Sequence, residues 1–63
     1  MSNNAAINKQ YAISKFRSAI NNALALLDVK GMEAAYYDWH RNTINKCKAS
    51  IEQIKGEPET QWN

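Results

Sequence analysis

One cysteine, one histidine, one proline and two glycines stand in a chain of 63 residues, and each scarcity removes a class of protein. A lone cysteine closes no internal disulfide, and with His40 as the sole histidine the chain falls short of a standard structural zinc set. A chain this short buries only about 60% of the surface its unfolded form exposes. With neither staple nor metal to help, oligomerisation is the remaining supplement to the core. Apolar runs are scarce too: the longest, Ala23-Leu24-Ala25-Leu26-Leu27, is far below the roughly 20 residues that cross a bilayer, so no membrane span is expected. No paired carboxylates, glycine-rich phosphate loop, HExxH or serine elbow occurs, and the expectation is a protein that is not an enzyme and holds no cofactor or metal. The unpaired Cys47, with no basic-then-apolar leader after Met1, points to a reducing cytoplasm.

Acidic residues are missing from positions 1–27, which contain Lys9, Lys15 and Arg17. The net charge of +2 is therefore laid out in blocks. Asp28, Glu33 and Asp38 against Lys30 make the middle acidic, Arg41, Lys46 and Lys48 follow, and Glu52, Glu57 and Glu59 weight the end of the chain.

What is present is helical periodicity. Ser2-Asn3-Asn4 supplies acceptors for the free N–H groups of a first turn, so helix 1 is predicted from about 4 to 29. Ile13, Phe16, Ile20, Ala23, Leu24 and Leu27 then recur at steps that fall on one face when successive residues rotate by about 100°. Strand alternation fails, because residues 23–27 are apolar at every position. Gly31 is the natural left-handed stop, putting the turn at about 30–31. Helix 2 is predicted over about 32–55, with Tyr37, His40, Ile44, Cys47, Ile51 and Ile54 as a heptad seam. Gly56 caps it, Pro58 cannot continue it, and 56–63 reads as a flexible tail carrying Trp62. Asn21-Asn22 is the weak point of helix 1, because asparagine side chains compete for backbone partners.

The expected fold is thus all-α: one domain, a two-helix antiparallel hairpin. Two helices touch along one line and leave the flanks of both stripes open, so a homodimer forming a four-helix bundle about a two-fold axis is the economical arrangement. Its core and dimer seam are assigned to Ile13, Phe16, Ile20, Leu24, Leu27, Tyr37, Ile44, Cys47, Ile51 and Ile54. In length and layout the hairpin resembles the Rop family of plasmid RNA-binding proteins, hairpin dimers that bind RNA loop complexes on one bundle face. In size, two-helix plan and absence of catalytic motif it also resembles the short accessory proteins of lambda-like temperate bacteriophage early regions. That resemblance implies a regulator in host cytoplasm that binds a host or phage macromolecule.

His40 and Cys47 invite a base-and-nucleophile reading, but seven positions on one helix separate them by about 10 Å, and both belong to the seam. The outer surface is the better place for function. Trp39 and Tyr11 turn away from the stripes, and exposed aromatics and arginines carry much interface energy. Hairpin geometry sets Lys9, Lys15 and Arg17 level with Arg41, Lys46 and Lys48 as a basic belt. The predicted partner-binding residues are Tyr11, Lys15, Arg17, Trp39, Arg41 and Lys46, facing a protein or, as the alternative, nucleic acid. A helix-turn-helix centred on Gly31 fits poorly, since Glu33 and Asp38 carry negative charge towards the groove.

Overall fold

The computed structural model describes residues 4–63; the expected capping residues Ser2 and Asn3 lie outside them. Helix α1 spans Asn4–Leu27 and helix α2 spans Ala34–Gly56. The two lie side by side as a hairpin, a thin rod with Cα extents of 52 × 15 × 10 Å. No strand occurs among the described residues. The Asn21-Asn22 pair sits inside an unbroken α1, where the apolar face on either side of it supplies the stability that asparagine propensity lacks.

The turn is longer than the glycine alone implies. α1 stops at Leu27, two residues before the expected end, and its last turn tightens through Asp28 N–H to Ala25 O (3.2 Å) and Val29 N–H to Leu26 O (3.1 Å). Gly31 takes φ of +87°, the left-handed geometry that a side chain resists. Glu33 is then extended (φ −65°, ψ 149°) and forms the N-cap, so α2 starts at Ala34 instead of Met32. The extra extended residues carry the chain across the gap between two helix axes, which pack 8–10 Å apart. The Tyr37 hydroxyl donates to Val29 O and ties α2 to the connection.

The far end also departs from expectation. Gly56 is the last residue of α2 and does not adopt a left-handed conformation; the extended Glu57 (φ −80°, ψ 141°) and Pro58 end the helix. Lys9 of α1 supplies the cap, its ammonium donating to Lys55 O (3.3 Å) and Glu57 O (2.6 Å). A cation here meets the negative end of the helix dipole and two carbonyls that lack helical partners. Residues 56–63 are therefore no loose tail. Glu59–Trp62 forms a 3-10 turn against α1, and Asn8 Nδ2 donates to Trp62 O at 2.7 Å.

The core follows from this asymmetry. Ile13 (3% exposed), Ile51 and Ile54 form its centre, with Ala12, Phe16, Ile20 and Trp62 packed around them. Ala23, His40, Ile44 and Cys47 continue the seam towards the turn, and Ala5 extends it at the open end. Leu24, expected in the core, is 50% exposed. It sits at the edge of the α1 stripe, and the single line of contact with α2 falls on Ala23 instead. Phe16, Ile20, Leu27 and Tyr37 are half-buried, as a two-helix contact requires.

Two outcomes test this arrangement. Trp62→Ala should lower stability by about 1–2 kcal/mol, less than the 3–5 kcal/mol of a fully buried tryptophan, seen as a lower urea midpoint; an unchanged midpoint would mean the C-terminal turn is undocked. Gly31→Ala meets no neighbouring atom, so its cost comes from φ alone and should be about 1 kcal/mol.

Candidate interaction site

Lys9 lies level with Lys55 and Ile13 with Ile51, so each residue gained along α1 is one lost along α2. Arg17 then stands level with Cys47, between Lys46 and Lys48, while Leu24 stands level with His40 and Arg41 with Ala23. The expected basic belt is smaller than the sequence implied. Lys9 belongs to the far end and is consumed as a helix cap. Arg41 lies nearer the turn and pairs with Asp38 (3.2 Å), an exposed contact worth little energy that nonetheless cancels its charge. Lys15, Arg17, Lys46 and Lys48 remain, and among the described residues none of them forms an ion pair with an acid.

Helical rotation of about 100° per residue and the right-handed sense of both helices separate these groups further. Trp39, Thr43, Lys46 and Ser50 of α2 share one flank of the hairpin with Ala12, Ala19 and Leu26 of α1. Trp62 lies on that flank too, beside Asn8 and Ala12. Arg17 and Leu24 of α1 face the opposite flank with Arg41 and Lys48 of α2. Lys15 projects within about 20° of Leu26, on the border between the first flank and the outside of α1. Its ammonium sits 5.5 Å from the Tyr11 ring centre, a cation–π contact of modest strength at an exposed site.

The six residues predicted to bind a partner are all exposed, but they do not form one surface. Two apolar patches emerge. The first is a row on the outer face of α1, Ile7 (62% exposed), Tyr11 (65% exposed) and Lys15, each four residues from the next. The second lies near the turn, where Tyr36 and Trp39 (63% exposed) border a shallow apolar hollow of about 460 Å³ lined also by Ala35 and His40. The His40 ring meets Trp39 edge to face, with centroids 5.1 Å apart at 69°. Leu24, Leu26 and Val29 are exposed around the same end. Ile7 and Tyr36 were not among the predicted site residues, and Tyr36 is instructive: by rotation it points at the seam, but α1 has already ended opposite it.

His40 and Cys47 are buried along the seam. Among the described residues, no three of the His, Cys, Asp and Glu side chains gather where one metal ion would reach them. No described helix is long and apolar enough to cross a membrane. Comparison with known proteins finds no matching family model, no similar curated protein and no similar solved structure. The residues themselves therefore carry the functional argument. The two apolar patches resemble each other in exposure and differ in setting: the α1 row is narrow and flanked by polar Asn8, Ser14 and Ser18, whereas the turn-end patch is broad and concave.

The division between structural and surface cations is measurable. Lys9→Ala should cost about 1 kcal/mol, the worth of a charge-assisted helix cap, while Lys15→Ala should leave the urea midpoint within experimental error. Equal effects would return Lys9 to the solvated surface.

Proposed function

We propose that this chain is a non-enzymatic interaction protein that works as a homodimer, a four-helix bundle, and binds a macromolecule, a protein in preference to nucleic acid. In this reading it is a small regulator acting in bacterial cytoplasm on a host or phage component. One observation carries the proposal: seven large apolar side chains, Ile7, Tyr11, Leu24, Leu26, Val29, Tyr36 and Trp39, are at least 41% exposed in a rod of two helices. Isolated exposed hydrophobics are ordinary on any protein, but patches of them mark contact surfaces. Ile7 and Tyr11 lie in the α1 row, Leu26, Val29, Tyr36 and Trp39 gather at the turn end, and Leu24 faces the other flank; the two groups support one contact between copies and one with a different partner.

The Ile7–Tyr11–Lys15 row is the surface assigned to that partner. It faces away from α2, so pairing of hairpins along either flank leaves it accessible, and tyrosine beside a cation suits a polar protein surface with an apolar notch. Arg17, Lys46 and Lys48, level with one another and free of acid partners, support nucleic acid as the second reading, since unpaired cations are what phosphates require.

The test uses the full chain immobilised and exposed to bacterial extract. Ile7→Ser with Tyr11→Ser should abolish capture of the specific protein held by the wild type, with helix content and oligomeric mass unchanged. Undiminished capture would remove the α1 row from the reading. Nucleic acid as the ligand would instead show as mobility shifts that weaken steeply with salt and disappear when Arg17 and Lys48 are reversed to glutamate.

A further inference from the structure

Residues 57–63 fold back onto α1 and fill an apolar notch at the open end of the hairpin, and the way they are held points beyond a structural role. We infer that this notch is a docking site for a segment of the protein partner, an acidic stretch bearing one bulky apolar side chain, and that residues 57–63 are an internal occupant which that segment displaces. The inference rests on the proposed protein-binding reading and adds regulation to it. It also enlarges the surface assigned there, because Asn8 and Ala12, at the notch, each stand one position along α1 from Ile7 and Tyr11.

The internal occupant is held by contacts that another segment can reproduce. Residues 58–61 are exposed, and Trp62 alone is inserted among Ile13, Ile51 and Ile54, with Ala12 and Phe16 in the same cluster. The anchors supplied by α1 fall on main-chain oxygens: Asn8 Nδ2 donates to Trp62 O (2.7 Å) and Lys9 Nζ to Glu57 O (2.6 Å). Every peptide carries such carbonyls, so these bonds hold a segment without identifying it. The notch itself selects only bulk.

The occupant also fits imperfectly. Its indole Nε1 is buried with no acceptor among the described residues, a loss that phenylalanine in the same place avoids. Glu57 (φ −80°, ψ 141°) and Pro58 (φ −67°, ψ 143°) leave α2 in extended backbone, so release moves a short link and unwinds no part of α2. Terminal segments of this kind open at far lower free energy than the whole fold.

Charge gives the sign of the competitor. α1 contains no acid, and on the flank that holds the notch α2 presents Thr43, Lys46 and Ser50. Among the described residues Lys15 and Lys46 form no ion pair with an acid. Residues 57–63 have Glu57 and Glu59 and no base. A displacing segment of the same sign keeps that complementarity.

The test uses a fluorescein-labelled peptide of residues 57–63 with phenylalanine at the tryptophan position. The full chain carrying Trp62→Ala, its notch vacated, should bind this peptide with a Kd of roughly 0.1–1 mM, since a short tether supplies millimolar effective concentration to the internal segment. The wild type should bind it at least fivefold more weakly, because its own segment competes. Alanine at the phenylalanine position should abolish binding, and lysine at both glutamate positions should weaken it at least threefold at low ionic strength. A second measurement needs no substitution in the chain: unlabelled peptide at several millimolar should shift the wild-type tryptophan emission to the red as Trp62 enters water, and the alanine peptide should not. Absence of binding to the Trp62→Ala chain with helix content intact, equal affinity for both chains, or an unmoved wild-type emission overturns the displaceable occupant. Indifference to the lysine exchange overturns the acidic partner. The peptide assay contains no extract, so its failure strikes the notch alone, and capture through the Ile7–Tyr11 row is judged separately.

Discussion

Two cylinders laid side by side meet along one line, and that limit governs this chain. Each helix carries an apolar stripe wider than the line, so among the described residues burial reaches only Ala5, Ile13 and Ala23 on α1, and His40, Ile44, Cys47, Ile51 and Ile54 on α2. Phe16, Ile20 and Leu27 point between Ile13 and Ala23 but stay half-covered, because one facing helix cannot enclose their bulk, and Leu24, at the edge of the stripe, is half-exposed. Each fully buried isoleucine contributes about 1.5–3 kcal/mol, and four of them are few for a chain that must offset the ordering of two helices.

The molecule meets this limit differently at its two ends. At the open end, the chain after Pro58 folds back and sets Trp62 on the flank of the isoleucine cluster, so a third short segment widens the contact. The same region is joined by Asn8 and Lys9, which bond the backbone of the C-terminal turn and of the α2 terminus. Apolar area does most of that docking, because the Trp62 indole Nε1 is buried without an acceptor among the described residues, a loss that hydrogen bonding elsewhere must offset. At the turn end no comparable segment exists. α1 stops at Leu27, Tyr36 overhangs it, Trp39 turns out onto the flank, and the apolar surface there stays open.

Charge follows the same division. The rod is banded in charge: Lys15, Arg17, Lys46 and Lys48 make its middle basic, while Asp28, Glu33 and Asp38 outnumber the bases at the turn, and Glu52, Glu57 and Glu59 outnumber those at the open end. Cations that the sequence places in one block are put to separate uses by the fold: Lys9 caps a helix, Lys15 lies over Tyr11, Arg41 pairs with Asp38, and Arg17 stands level with Lys46 and Lys48. Burial, exposure and charge thus sort the surface into two apolar patches with different surroundings.

The hairpin itself was legible in the sequence, because a spacing of three and four residues has one helical solution and Gly31 is a residue suited to the left-handed turn that stops α1. The inward placement of His40 and Cys47 followed from the same periodicity. The tertiary structure decided what periodicity cannot express. The fate of Leu24 depended on which of two neighbouring residues the contact line would meet, and that of Tyr36 on where the opposing helix ended. The docking of Trp62 and the capture of the α2 terminus by Lys9 join residues 46 to 54 positions apart. Local sequence carries no signal for such contacts, since they form only once the helices are in register. Periodicity is a property of one helix alone, whereas exposure depends on what the second helix, and the chain beyond it, comes to cover.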